Sequence, residues 1–162
     1  KAIADLGKRG EISLVYAGGI RNGADVAKAI ALGADAIAIG HSVMMALNCN
    51  KDIPEANYEE EVGASPGHCY NCHTGRCPVG VATQDPVLRQ RLDPDEAAER
   101  VYNFLHTLTI EAQLFARACG KTNIHSLEPE DLAALTMEAS AMAGVPLAGT
   151  NHTVGVEDYH HL

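Results

Sequence analysis

Two short apolar runs in the first third of the chain each end in glycine. Residues 12–17 lead into Gly18 and Gly19, and residues 36–39 lead into Gly40. Short apolar runs that are closed by glycine are typical of strands buried within a parallel sheet. A helical pattern of apolar residues follows each run, so the sequence predicts a β-α-β-α arrangement with both strands parallel.

The helix after the first strand has well-defined predicted ends. Asn22 provides a side-chain cap, Asp25 stands three residues later at the capping-box position, and Gly33 closes the helix. Ahead of the first strand, residues 2–7 indicate the end of a helix followed by a glycine turn. Because the chain starts at Lys1 with such an element, we expect the sequence to begin within a domain.

A long amphipathic helix is predicted in the second half of the chain. Asp93 caps this helix, Pro94 occupies its first position, and the helix extends to about Gly120. Apolar residues recur along it at steps of three and four, forming one stripe: Val101, Leu105, Leu108, Ala112, Phe115 and Cys119. We therefore interpret Cys119 as a packing residue and His106 as a flank of the same face.

The remaining C-terminal sequence has weaker patterns. A further helix is predicted to open near residues 128–129, and it carries three apolar residues, Leu132, Leu135 and Met137. Residues 144–162 show little periodicity, and we assign them to a loosely ordered or partner-contacting tail. The two histidines at residues 160–161 are expected to be exposed polar sequence rather than a metal site.

The glycines at the strand ends suggest a ligand. Glycine lets the backbone come close to a bound group, and the N–H groups that open the following helices favour an anion. In a (β/α)8 barrel, the loops after the last two strands often form a phosphate site. We therefore predict phosphate binding by Gly18, Gly19, Ile20, Gly40, His41 and Ser42. The alternative is that these glycines only form tight turns.

The charge of the chain disfavours two classes of partner. It has 12 Lys and Arg against 21 Asp and Glu, a formal net charge of −9, without a basic cluster. Such a surface matches neither nucleic acid nor an anionic membrane. No apolar run approaches the roughly 20 residues needed to cross a bilayer, and the amino end lacks the pattern of a secretory signal, so we expect a cytoplasmic protein.

Three of the five cysteines lie within nine residues, which favours a metal site over disulfides. Cys69, Cys72 and Cys77 have the spacing C-x2-C-x4-C, with a proline after the last cysteine. Thiolates hold iron–sulfur clusters, and cysteine followed by proline recurs in bacterial ferredoxins. Zinc is an alternative, with His68 or His73 as the fourth ligand. Three free cysteines are a further alternative, although thiols this close are prone to oxidation without a metal.

The segment at residues 72–86, CHTGRCPVGVATQDP, strongly resembles the iron–sulfur segment of glutamate synthases. The resemblance extends back to the glycine-ended strands, whose pattern is shared by phosphate-binding barrels in general, and forward through residues 91–105. It therefore covers most of the chain. It implies the C-terminal portion of a TIM (β/α)8 barrel, with its last two βα units, followed by an iron–sulfur loop and a helical tail.

The resemblance implies two cofactors. The glycine turns would hold the phosphate of FMN, and Cys72 and Cys77 match the second and third ligands of an iron–sulfur cluster. The first ligand is either Cys49 or Cys69, because the acidic stretch at residues 55–61 indicates an inserted loop between them. We predict Cys69, Cys72 and Cys77 as ligands with Cys49 as the fourth. Three cysteines imply a 3Fe-4S cluster, and four allow a 4Fe-4S cluster. Alternatively, Cys49 is a small apolar residue at a helix end.

The resemblance also implies a reaction. An oxidoreductase of this kind receives electrons from a partner and reduces 2-iminoglutarate, formed from 2-oxoglutarate and ammonia, to glutamate. The FMN-binding subunit of N-methylglutamate synthase and a non-catalytic zinc module are the two alternatives. Expected partners are the remaining barrel segment or a complementary chain, an electron-donor or amidotransferase subunit, and further copies in an oligomer.

The implied organisation divides the chain into four segments. Residues 1–48 are expected to form the last two βα units, and residues 49–86 the iron–sulfur loop with its insertion. Residues 87–143 are expected to form a helical extension, and residues 144–162 the irregular tail. No catalytic residue is assigned within these segments, because we expect the catalytic groups on strands that precede Lys1.

Overall fold

The computed structural model of the chain describes residues 2–53, 60, 62–65 and 68–155. Most of the acidic stretch at 55–61 and the histidines at 160–161 lie outside the described residues. Within the described residues, the secondary structure is mainly helical with one short parallel sheet. Such a composition is compatible with part of an α/β domain.

The sheet consists of two parallel strands, β1 (Val15–Ala17) and β2 (Ala36–Ala38). Val15 pairs with Ala36, and Ala17 pairs with Ala38, so the carboxyl ends of the strands are adjacent. The predicted parallel arrangement is confirmed, although each strand is shorter than its apolar run.

Five α-helices are described, and four 3-10 turns lie between them. The helices are α1 (Ala2–Asp5), α2 (Gly23–Ala31), α3 (His41–Ala46), α4 (Pro94–Ala118) and α5 (Met137–Ala143). The 3-10 turns span Asn71–Thr74, Leu88–Arg91, Ile124–Ser126 and Pro129–Asp131. None of the helices in the described ranges is both long enough and apolar enough to span a membrane.

The chain forms two compact units. The first unit comprises Lys1–Ala38 and Leu108–Leu162, and the second comprises Ile39–Thr107. Helix α4 contributes residues to both units. The sheet therefore belongs to the first unit, and the cysteines at 49, 69, 72 and 77 all belong to the second.

The exposure of the strands corrects the prediction that they are buried. The side chains of Val15 and Tyr16 are 62% and 49% exposed, and no residue of β2 is fully buried. Within the described part of the chain, each strand has only one neighbouring strand. An open groove remains between β1 and α2, which explains why these apolar side chains stay accessible.

Helix α2 supplies most of the buried core of the first unit. Its buried residues are Gly23, Val26, Ala27, Ala29, Ile30 and Ala31. The predicted cap is confirmed, because the Asn22 side chain accepts a hydrogen bond from the N–H of Asp25 at 3.0 Å. After the helix, Asp35 accepts hydrogen bonds from Arg9 at 2.8 Å and from the N–H of Leu14 at 2.7 Å, which ties the starts of both strands together.

Helix α4 starts as predicted, but only part of its predicted apolar stripe is buried. Asp93 accepts hydrogen bonds from the N–H groups of residues 95 and 96, which confirms the cap. In the first unit its buried residues are Leu108, Ala112 and Ala116, at steps of four, whereas Phe115 and Cys119 are exposed. The interpretation of Cys119 as a packing residue is therefore wrong. Small alanines face the core because α2 approaches α4 closely there.

One aromatic contact lies on the part of α4 that belongs to the second unit. His106 is exposed, and its ring stacks on that of Tyr102, with 5.5 Å between the ring centroids and an angle of 10° between the planes. The predicted position of His106 beside the apolar stripe is thus a surface position. We assign it no role in metal binding.

The last predicted helix starts later than its sequence suggests. Glu128 donates its N–H to the carboxylate of Asp131 at 2.9 Å, which closes a single 3-10 turn, and Leu132 is then extended. Helix α5 begins only after Thr136, whose side chain accepts the N–H of Ala139 at 3.1 Å. The prediction failed because the capping box near residue 128 caps a turn rather than a helix.

The segment after α5 folds back onto it. Ser140, which is fully buried, donates its hydroxyl to the carbonyl of Val145 at 2.7 Å and accepts the N–H of Val154 at 3.1 Å. An isolated parallel bridge joins Ala134 to Leu147. The described part of the predicted tail, residues 144–155, is therefore held by the buried hydroxyl of Ser140 and by backbone hydrogen bonds to Ala134.

Candidate functional site

The turn after β1 requires glycine because of its backbone conformation. Gly18 and Gly19 have φ values of +106° and +69°, which side chains rarely allow. A methyl group added at either residue would meet no atom within 4 Å. The turn is thus open on its outer side, and the next residue, Ile20, is buried. Such a turn exposes backbone to an incoming group.

The N–H groups at the start of α2 and just before it already have partners within the chain. The N–H of Gly23 donates to the carboxylate of Glu111 at 2.8 Å, and the N–H of Arg21 donates to Asp25 at 3.1 Å. Asp25 also accepts a hydrogen bond from Lys28 at 2.9 Å, and this bond, followed by the backbone bond, lowers its pKa. A phosphate at this turn would therefore depend on the glycine backbone more than on the start of the helix.

The turn after β2 has a different conformation. Gly40 has φ −118° and ψ −73°, and because its φ is negative the conformation does not require glycine. A methyl group there would meet nothing within 4 Å. His41 is exposed and Ser42 is half-buried. Gly40, His41 and Ser42 lie in the second unit, whereas Gly18 to Ile20 lie in the first.

Cys49 lies at a well-defined helix end, as predicted. After α3, Asn48 adopts a left-handed conformation with φ +72°. The N–H of Cys49 donates to the carbonyl of Met44 at 3.0 Å, and the N–H of Asn48 donates to that of Met45 at 2.9 Å. These two bonds form a Schellman motif, which fixes the backbone that carries the Cys49 thiol.

Cys69 lies just before a short 3-10 turn, and Cys72 lies within that turn. Cys69 is half-buried, and Cys72 is exposed within the 3-10 turn Asn71–Thr74. The hydroxyl of Thr74 donates to the carbonyl of Asn71 at 2.8 Å, and Gly75 ends the turn with φ +72°. The turn presents Cys72 at the surface.

Cys77 differs from these residues because it is buried. It is 5% exposed and packs in a small core with Ile53 and Val79. The following residue, Pro78, is among the most deeply buried in the described part of the chain. The local sequence therefore places one thiol in the interior and another, five residues earlier, at the surface.

The Cys49 thiol lies near enough to the other three thiols of the second unit for their charges to affect it. Burial raises the pKa of the Cys49 thiol, and the negative charges of Cys77, Cys69 and Cys72 raise it further. Among the described residues, however, no three His, Cys, Asp or Glu side chains converge in the way that a single metal ion requires. The structure thus brings the predicted ligands into one region without a tight single-ion arrangement.

The sequence pattern did not predict the contacts of three residues that hold the backbone of these turns. Glu111 binds the start of α2, and Thr83 and Arg91 each donate a hydrogen bond to the backbone near Cys77. Their partners lie 8 to 88 residues away in the chain. Only tertiary structure identifies such contacts.

The parallel βα pair is compatible with part of an α/β domain, and the second unit of the chain is rich in cysteine. The conserved region in glutamate synthase matches residues 1–54 and 62–122 of the chain. The chain therefore belongs to the glutamate synthase family, and the resemblance found in the sequence is confirmed. The matched residues include both glycine turns and the four cysteines of the second unit.

Similar proteins carry related names. A glutamate synthase large subunit-like protein of Rhizobium meliloti is 54% identical over 151 residues, which cover 93% of this chain and 34% of that protein. An archaeal glutamate synthase (NADPH) of Methanocaldococcus jannaschii is 44% identical over 125 residues, covering 77% and 21%. An archaeal-type glutamate synthase (NADPH) of Dehalococcoides mccartyi is 37% identical over 151 residues, covering 91% and 27%. The chain thus spans about a third or less of the length of these relatives.

Proposed function

We propose that this chain is part of an FMN- and iron–sulfur-dependent glutamate synthase that reduces 2-iminoglutarate to glutamate. Membership of the family supports the oxidoreductase class. The observation that carries the cofactor assignment is that Cys49, Cys69, Cys72 and Cys77 all belong to the second unit and all lie within the residues that match the family. When bound, FMN supplies hydride transfer and the cluster supplies one-electron transfer.

The thiols of the second unit are suitable ligands for an iron–sulfur cluster. A zinc ion needs four ligands, with sulfurs at about 2.3 Å from one point. An iron–sulfur cluster attaches its cysteines to separate iron atoms, so the sulfurs stay further apart. The spacing C-x2-C-x4-C supplies three thiolates within one short segment, which is the type of donor that such a cluster requires. Cys69, Cys72 and Cys77 are the proposed ligands, with Cys49 as the fourth.

The turn at Gly18 and Gly19 suits the phosphate of FMN. Its two residues with positive φ leave the outer side of the backbone open. Gly40, His41 and Ser42, which the resemblance implies as a second loop, belong to the other unit, and their role stays a prediction. The role of this chain is then to bind and orient the phosphate end of the flavin.

The proposal includes a barrel completed by residues outside this chain. Strands β1 and β2 would be its last two, because they are parallel and each has a single neighbour among the described strands. The exposed apolar side chains of Val15 and Tyr16 support this assignment, since a packed barrel would cover them. In this proposal the catalytic groups lie on the other strands of that barrel.

Cofactor analysis of the protein in its natural complex, purified without oxygen, tests the proposal. We expect bound flavin, iron and acid-labile sulfide. Replacing Cys72 or Cys77 with serine should remove most of the iron, and Cys49→Ser should lower the iron content if this residue is the fourth ligand. Cys119→Ser is the matched control, because Cys119 lies in the other unit, and it should retain the cluster. Zinc without sulfide in the wild-type protein would contradict the proposal.

Activity assays then distinguish the substrates. The complex is supplied with 2-oxoglutarate and either ammonia or methylamine, and the product is identified as glutamate or N-methylglutamate. NADPH is the first electron donor to try, because it appears in the names of two relatives. Glutamate formed from ammonia is the expected result, and N-methylglutamate formed only from methylamine would replace the proposed reaction with the alternative.

A further inference from the structure

The backbone on both sides of Cys77 is held by two side chains. Before Cys77, the carbonyl of Gly75 accepts a hydrogen bond from the hydroxyl of Thr83. After it, the carbonyl of Pro78 accepts a hydrogen bond from the guanidinium of Arg91, with 2.8 Å between Nη1 and the oxygen. Both donors come from the segment that follows the cysteine loop, so one stretch of chain fixes both flanks of this thiol.

The two donors are themselves held in place. The hydroxyl of Thr83 accepts the N–H of Asp85 at 3.1 Å. The carboxylate of Asp85 accepts the N–H groups of Val87 and Leu88 at 2.8 and 3.0 Å, and thereby begins the turn that carries Arg91. These backbone bonds lower the pKa of Asp85, so it is ionised at neutral pH. The donors are thus parts of one hydrogen-bonded segment.

Close packing at Gly80 joins the cysteine loop to the same turn. Gly80 has φ +83°, and a methyl group there would lie 2.5 Å from the carbonyl oxygen of Leu88 and 3.1 Å from the nitrogen of Leu92. The loop therefore has no room to shift toward the turn. The two hydrogen bonds and this contact together restrict the backbone from Gly75 to Gly80.

We propose that Thr83 and Arg91 are positioning residues that hold Cys77 as the fixed ligand of the iron–sulfur cluster. Partners that orient a metal ligand commonly contribute about 10- to 100-fold to metal affinity. Here the partners act on the backbone that carries the ligand, because both carbonyls lie within two residues of Cys77. The inference rests on the proposed function, since it requires that a cluster is bound.

The test compares paired substitutions in the complete protein. Thr83→Val keeps the shape of the side chain but removes the hydroxyl, whereas Thr83→Ser keeps the hydroxyl. Arg91→Gln removes the charged donor, whereas Arg91→Lys keeps one donor. Arg89→Gln is the matched control, because Arg89 lies in the same 3-10 turn, loses the same charge and is exposed.

Two quantities are measured: the rate at which a chelator removes iron from the anaerobically purified protein, and the electron paramagnetic resonance spectrum of the cluster. We expect Thr83→Val and Arg91→Gln to release iron about 10- to 100-fold faster and to alter the spectrum. The serine and lysine variants should restore slow release, and Arg89→Gln should behave as wild type.

The outcomes separate this inference from the proposed function. A wild-type protein without iron and sulfide overturns the proposed function, and the inference with it. A wild-type protein with a cluster, combined with valine and glutamine variants that release iron at the wild-type rate, overturns the inference alone. If Arg91→Gln does not fold, the comparison of Thr83→Val with Thr83→Ser decides, because only the valine variant lacks the hydroxyl.

Discussion

Gly23 lies where α2 meets α4, and this contact leaves no room for a methyl group. A Cβ atom at residue 23 would lie 2.3 Å from the Cβ of Glu111, 2.5 Å from the nitrogen of Ala112 and 2.7 Å from the oxygen of Leu108. Two of these atoms belong to the backbone of a helix, which cannot move aside locally. We therefore predict that Gly23→Ala forces the two helices apart and destabilises the protein.

The magnitude follows from three contributions. Overpacking of this kind costs about 1–3 kcal/mol. Separation of the helices would also break the hydrogen bond from the N–H of Gly23 to Glu111, and hydrogen bonds to charged groups contribute about 1.5–3 kcal/mol. The lower entropy of alanine in the unfolded chain offsets about 0.4–1 kcal/mol. We expect a net loss of about 2–5 kcal/mol in the free energy of unfolding.

Urea denaturation followed by circular dichroism measures this loss. Gly10→Ala is the matched control, because Gly10 lacks a positive φ and a methyl group there would meet nothing within 4 Å. Its stability should stay unchanged or rise by up to about 1 kcal/mol. A Gly23→Ala variant within about 0.5 kcal/mol of wild type, the usual range of surface substitutions, would refute the close contact.

Three further predictions concern single residues. Because its bond to Lys28 lowers the pKa of Asp25, the ionised carboxylate stabilises the fold above about pH 4, and this stabilisation disappears as the pH falls through the lowered pKa. The difference in unfolding free energy between wild type and Asp25→Asn should therefore shrink below pH 4, and a constant difference would contradict this. Gly19→Ala places a side chain at φ +69° and should weaken flavin binding measured by fluorescence titration, unlike Gly10→Ala. Ser140→Ala removes the hydrogen-bond partner of the Val145 carbonyl and of the Val154 N–H, and should cost about 1–3 kcal/mol in urea denaturation, whereas an unchanged midpoint would indicate that water replaces the hydroxyl.

Local signals predicted the helix starts well. The caps at Asn22 and Asp93 lie where the sequence places them, because a cap depends on a side chain and the N–H groups two or three residues later. The predicted opening of the last helix near residues 128–129 is wrong, since Glu128 and Asp131 form a capping box around a single turn. A cap fixes where a turn begins, and the packing of the following residues decides its length.

Tertiary contacts explain the errors on the face of α4. The sequence favours Phe115 in the core because it is large and apolar, yet Ala116 is buried instead. Helix α2 brings Gly23 against α4, and only small residues tolerate that distance. The partner of Gly23 lies 88 residues away, so the pattern along α4 alone holds no information about it.

For the cysteines as well, spacing in the sequence does not show which thiols have a backbone held by hydrogen bonds. The spacing predicts Cys69 and Cys72 as ligands. Cys69 is half-buried, however, and Cys72 lies exposed on a single 3-10 turn. The thiols with the best-defined backbones are Cys77, which is buried and flanked by two side-chain hydrogen bonds, and Cys49, which is held by the Schellman motif after α3. Because a ligand that is already fixed loses less conformational entropy on binding, these two residues suit the role of anchors. This reasoning favours Cys49 as a ligand over Cys49 as packing, although 27 residues lie between it and Cys77.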